Sequence, residues 1–218
     1  MQQLTYTLVT DGSSDRVLQQ ILTWLLHEHL STRAIEGIWA DLSAIRFPSK
    51  PGLANKIKTA LLAYPCDLLF IHRDAENELP VNRVKEIEDA ITYLIDSGHQ
   101  VPPSICVIPI RMQEAWLLFD KEAIFRAVGN PNEKRKTIQL PQINALENIP
   151  DPKRMLHEFL REASGLHGRR KKEFNPRQTV YRLVEAIDDF TPLRYLSAFQ
   201  ALEQDIQEMI EAQNWNTE

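Results

Sequence analysis

The stretch "YTLVTDGSSDRVLQQIL", residues 6–22, changes period partway along. Residues 4–10, "LTYTLVT", are rich in β-branched and aromatic side chains, the composition of a strand. Asp11-Gly12-Ser13-Ser14 follows, and that is turn chemistry. From Ser14 onward the apolar side chains recur at 17, 18, 21, 22, 25 and 26, which predicts a helix with a wide buried face. A buried strand therefore becomes a helix within a few residues, and two carboxylates, Asp11 and Asp15, stand at the junction.

The same alternation continues outward. Residues 35–47 form a second strand region, and "LANKIKTALLAY" (53–64) predicts a helix opening after Pro51-Gly52. "CDLLFIHRD" (66–74) is a short continuous apolar run ending in charge, as expected of a central strand covered on both faces. Residues 81–98 are an amphipathic helix stopped by Gly98. "SICVIPIRMQE" (104–114) is a further strand, and 114–129 is helical in two pieces, stopping at Gly129. Strands alternating with helices predict an α/β layered domain with a mostly parallel central sheet. After Gly129 the pattern changes to a polar, proline-containing loop (130–152), then to helical segments separated by Gly and Pro. The expected organisation is an α/β domain over 1–129 and a helical C-terminal extension over 130–218 packed on it.

Composition bounds the function. With 218 residues, 43% apolar and 25% charged, the chain can bury a core without disulfide or metal support. The net charge of −5 excludes a generally basic nucleic-acid binder, so any polyanion site must be a local patch. Cys66 and Cys106 lie beside or inside apolar runs and are expected to be buried reduced thiols. The N-terminal residues lack the basic segment of a signal peptide, and no apolar stretch is long enough to span a bilayer. A cytoplasmic protein is expected. There is no P-loop, no GxSxG elbow and no zinc-binding histidine spacing.

Acids end three of the expected strands: Asp11, with Asp15 a helical turn beyond it; Asp74 and Glu76; and Glu114. In a parallel sheet these ends share one edge, where ligands bind. Clustered carboxylates raise one another's pKa unless a cation neutralises them. Mg2+ is suited to that role, because it takes one or two carboxylates together with water and phosphate oxygens. Each acid also has a local reading. Asp11 and Asp74 suit turns, Asp15 and Glu114 favour the positive end of a helix, and Glu76 suits a solvated loop.

These segments resemble TOPRIM-type domains, especially the branch close to OLD-family nucleases. "LVTDGSSDRVLQQIL" resembles the opening strand, acid, glycine and helix, and "LLFIHRDAENE" resembles the strand followed by Asp-x-Asp. "VIPIRMQEAWLLFD" resembles the later strand and helix of an uncharacterised prokaryotic TOPRIM-like family. The resemblance covers residues 4–120 and implies a TOPRIM/Rossmann-like fold with a Mg2+ (or Mn2+) phosphoryl-transfer centre. On it, Asp11, Asp74 and Glu76 are the catalytic residues, and Asp11, Asp15, Asp74, Glu76 and Glu114 are the metal ligands. Asp11 stands where the family has glutamate and Glu76 where it has aspartate, so the reach of both side chains is altered.

The run "HGRRKKEFNPRQ" (167–178) is basic in an otherwise acidic chain. Arg169, Arg170, Lys171, Lys172 and Arg177 are candidate phosphate contacts, with Phe174 beside them to stack on a base. Arg73 and Arg111 flank strand-end acids and either grip phosphate or pair with those acids. Two functions follow. The first is a Mg2+-dependent, nuclease-like hydrolase cleaving the phosphodiesters of DNA or RNA. The second is a non-catalytic TOPRIM-like binding or regulatory module acting with a partner protein such as an ATPase.

Overall fold

The computed structural model describes residues 3–45, 47, 52–130 and 138–216. They form two compact units. One consists of Met1–Ile108 with Ala201–Glu218, and the other of Pro109–Gln200. Gly129, where the sequence changes texture, lies within the second.

The first unit is a mixed α/β layer structure. Its strands are β1 (Gln3–Val9), β2 (Ala34–Trp39), β3 (Leu68–His72) and β4 (Ser104–Val107), in the order β2-β1-β3-β4. All three pairings are parallel, with Tyr6 opposite Leu68 and Phe70 opposite Ile105. Parallel neighbours need crossovers, and α1 (Leu18–His29), α2 (Leu53–Ala63) and α3 (Pro80–Asp96) supply them.

Strand side chains alternate between the faces of the sheet. Val9, Leu69 and Ile71 pack with Ile57 and Ala60 of α2 and Ile87 and Leu94 of α3 in one cluster. Thr7 of the same parity donates its hydroxyl to the carbonyl of Tyr64, at the end of α2. Tyr6 and Phe70 have the other parity and meet edge to face at 5.3 Å. The Tyr6 hydroxyl reaches the Gln19 carbonyl (2.8 Å) and Thr23 (2.6 Å), both on α1. Burial raises the Tyr6 pKa, and Thr23 offsets only part of that rise. All five residues of β3 are buried, as its continuous apolar run requires.

The strand expected over 104–114 is shorter than that, because backbone pairing stops at Val107 and a 3-10 turn, Gln113–Leu117, follows. Both cysteines are free and half-buried rather than fully enclosed. Burial pushes the Cys106 thiol up to about 12, with the Glu88 and Asp205 charges adding to the rise.

The second unit is helical. It holds α4 (Lys121–Ala127), α5 (Pro152–Ala163), α6 (Gly168–Glu173), α7 (Pro176–Ala186) and the start of α8 (Ser197–Ala212). Side-chain caps start α4, α5 and α7: Asp120 accepts from the Ala123 amide, Asp151 from Arg154, and Asn175 from Arg177 and Gln178. Pro152 and Pro176 occupy first-turn positions, where the missing N–H costs nothing. Glu147 accepts the backbone amides of Ser197 and Ala198 at the start of α8. Buried Trp116 meets Phe199 edge to face at 5.4 Å. Part of the expected 130–152 loop, residues 131–137, lies outside the described residues. Among the described residues no helix is long and apolar enough to cross a membrane.

Candidate functional site: the charged rim at the strand ends

β1 and β3 are neighbours, so the loops leaving their C-terminal ends lie side by side. The β1 loop is fastened at its base, where the Trp39 indole N–H donates to Thr10 Oγ1 (2.9 Å) and that hydroxyl donates to the Gly12 carbonyl (2.8 Å). Asp15 turns back into the loop. Its Oδ2 accepts the Gly12 amide (3.0 Å) and its Oδ1 accepts the Ser14 hydroxyl (2.8 Å). Asp15 is buried, and both oxygens are engaged by donors of its own turn. Asp11, by contrast, keeps 46% of its side chain exposed at the rim.

Two cations converge on Asp11. Lys56 Nζ, from the first turn of α2, lies 2.8 Å from Oδ1, and Arg73 Nη1, just past β3, lies 3.1 Å from Oδ2. Partial burial works against ionisation of Asp11. The Lys56 hydrogen bond and the charges of Arg73 and Lys56 outweigh it, so the carboxyl sits below its ordinary value.

The pairing continues along the rim. The other arm of Arg73 reaches Glu86 (3.2 Å), Glu86 pairs with Arg83 (3.1 Å), and Arg83 approaches Glu76 (3.7 Å). Arg83 Nε also donates to the Asp74 carbonyl (3.1 Å). Glu76 adopts a left-handed backbone conformation, φ 53°, and is exposed. Beneath the rim, His72 is buried and its Nδ1–H donates to the Val107 carbonyl (3.0 Å). Its Nε2 stands 3.5 Å from Asp74 Oδ1. Burial lowers the His72 pKa; the charges of Asp15 and Asp11 and the Val107 hydrogen bond oppose this without reversing it.

The expected Mg2+ or Mn2+ centre is not formed. Among the described residues no group of three or more His, Cys, Asp or Glu side chains is placed to hold a metal ion. The physical reason lies in the rim. The positive charge that a divalent ion would have supplied comes from Lys56, Arg73 and Arg83, while Asp15 is used up inside its own turn. Metal-dependent phosphodiester cleavage by Asp11, Asp74 and Glu76 therefore has no centre to proceed from, and the nuclease and hydrolase expectation is corrected. Glu114 belongs to the second unit, where it is buried with Oε1 2.8 Å from Lys153 Nζ.

Arg73 is held in ion pairs with Asp11 and Glu86. Arg111 adopts φ 66° in the second unit. Arg169, Arg170, Lys171, Lys172 and Arg177 are all exposed, and Arg169 pairs with Glu173 (2.7 Å). Lys56, Arg83 and Glu86 in the rim, and His72 beneath it, carry no signal in the sequence that marks them for this site. The Arg83–Glu86 spacing on a helix signals only a local pair, since residues three apart share a face. No protein-family model, curated protein or solved structure matches the chain.

Proposed function

We propose that the chain is a non-catalytic binding or regulatory module of TOPRIM-like type, working with a partner protein such as an ATPase. The observation that carries this reading is the double occupation of the Asp11 carboxylate by Lys56 and Arg73. A carboxylate already bonded to two cations is neutralised in place, and its oxygens serve the rim rather than a reaction. The parallel sheet, with Asp11 after β1 and Asp74 and Glu76 after β3, supports the TOPRIM-like part of the reading.

A rim of alternating charge, partly exposed, suits recognition. Opposite charges across an interface orient a partner and penalise wrong ones, contributing more to selectivity than to raw affinity. Asp11, Glu76 and Glu86 offer acceptors at the edge, and Lys56, Arg73 and Arg83 hold them in register.

Incubation with plasmid, single-stranded DNA and RNA, in Mg2+, Mn2+ or EDTA, tests the reading. The expected result is intact nucleic acid under all three conditions. Metal-dependent cleavage that disappears in Asp11→Ala, with the variant still folded by circular dichroism, overturns it.

A further inference from the structure

The second unit carries a concentration of positive charge that the rim does not involve. On α5, Arg161 is exposed; on α6, so are Arg170, Lys171 and Lys172; and Arg177 is exposed in the first turn of α7. Among the described residues, the ion pairs of this region engage Arg154 with Glu158, Arg169 with Glu173 and Lys153 with Glu114. They leave Arg161, Arg170, Lys171, Lys172 and Arg177 outside any such pair.

Two observations bring cations of different helices together. Arg161 and Lys171, from different helices, line the same hollow of about 400 Å³ together with His167, Leu166, Glu158 and Glu162. Half-buried His157, one turn before Arg161, has its pKa lowered first by burial and then by the charges of Arg161, Lys153 and Arg177. Arg161 therefore belongs both to the hollow and to the group around His157, and it links α6 to α7 through α5.

We propose that α5, α6 and the start of α7 form a seat for the phosphodiester backbone of a nucleic acid, gripped by Arg161, Arg170, Lys171, Lys172 and Arg177. Successive residues of α6 point about 100° apart around the helix, so no single compact anion reaches Arg170, Lys171 and Lys172 together. A chain of phosphates instead offers separated anions to cations on different helices, such as Arg161, Lys171 and Arg177, and each contact releases condensed counterions. A membrane surface fits less well. Among the described residues none of the exposed large apolar side chains, such as Leu62, Tyr93 or Tyr195, falls within 152–186, so nothing there would enter a bilayer. Phe174, half-buried just after α6, adds an aromatic surface on which a base can stack. This seat lies in the second unit and stands or falls apart from the partner reading of the rim.

Fluorescence anisotropy of the intact protein tests it, with labelled single-stranded DNA, single-stranded RNA and duplex DNA in EDTA over a range of salt. Polyglutamate and phosphatidylserine vesicles serve as competing polyanions. The expected result is oligonucleotide binding whose log Kd changes linearly with log salt. In the triple variant Arg170→Ala/Lys171→Ala/Lys172→Ala, affinity falls at least about tenfold near physiological salt, and the salt slope shrinks by about one for each lost contact. Lys85→Ala, removing an exposed lysine of α3 paired with Asp89, leaves binding unchanged. The three arms identify which nucleic acid is held most tightly. Absence of oligonucleotide binding, binding indifferent to the triple substitution, or equal or tighter binding of polyglutamate or vesicles overturns the proposal.

Discussion

Lys56 Nζ lies 2.8 Å from Oδ1 of Asp11, although the two residues come from different crossovers of the sheet. That contact ties the first turn of α2 to the loop after β1, and it turns the most exposed acid of the β1 loop into part of an ion-pair chain.

In Lys56→Met, the Asp11 carboxyl titration, followed by NMR, moves up from its lowered position. The partial burial that opposes ionisation remains, and only the charge of Arg73, with a smaller contribution from His72, offsets it. The sign for stability follows. A depressed carboxyl contributes stability that is complete above its unfolded value of 3.8 and is lost as pH falls through the lower folded value. Because Asp11 is half exposed, the contribution is small, within about 1 kcal/mol. An unchanged titration in Lys56→Met would show that the pair is absent in solution.

His72 gives the opposite residue type with the same direction of dependence. Its folded pKa lies below the ordinary 6.5, so between those two values the unfolded chain binds the extra proton. Stability is complete above about pH 6.5 and falls on acidification toward the folded value. Urea denaturation of His72→Gln across this range is expected to show a flatter pH profile than the parent chain. A profile of the same slope would assign the dependence to another group.

Gly37 of β2 is required by Tyr6 of β1. A Cβ at position 37 would stand 2.1 Å from Tyr6 Cζ, and that ring is buried. Gly37→Ala is expected to cost about 3 kcal/mol, at the upper end for overpacking, because the ring is also fastened through its hydroxyl to α1. Gly37→Ala/Tyr6→Leu relieves the clash, so its denaturation midpoint lies above that expected from adding the two single losses. Strict additivity would place the strain elsewhere.

In the second unit, buried Glu114 depends on Lys153. Lys153→Met strands a carboxylate and is expected to destabilise by about 3 kcal/mol, the lower end for a broken buried pair because Lys153 is itself partly exposed. Glu114→Gln/Lys153→Met removes the stranded charge and recovers part of the loss. Thermal denaturation of the three variants checks the order. A double variant no better than Lys153→Met alone would mean that the charge is not what is lost.

The fold was legible in the sequence wherever one element declared itself by period and punctuation. The continuous apolar run before Arg73 became the fully buried β3, and the spacing after Ser14 became α1. The 104–114 strand was overextended, because "ICVIPI" is apolar throughout and composition alone does not reveal where backbone pairing ends. The placement of acids at the ends of β1 and β3 was also readable, since it needs only the strand boundaries and the rule that crossovers make neighbours parallel.

What surrounds those acids was decided in three dimensions. Lys56 is 45 residues from Asp11, and Arg73 is 62. Arg73 was legible as a partner for strand-end acids, but nothing local marks Lys56 as one or says which acid Arg73 takes, because an ion pair between crossovers depends on helix orientation and side-chain reach. Strand boundaries read from residue pattern were enough to put Asp11 after β1 and Asp74 and Glu76 after β3, at one edge of a parallel sheet. That the chain's own lysine and arginines balance the charge at this edge came from folding, because electrostatic neutralisation depends on distance in space and not on separation along the chain.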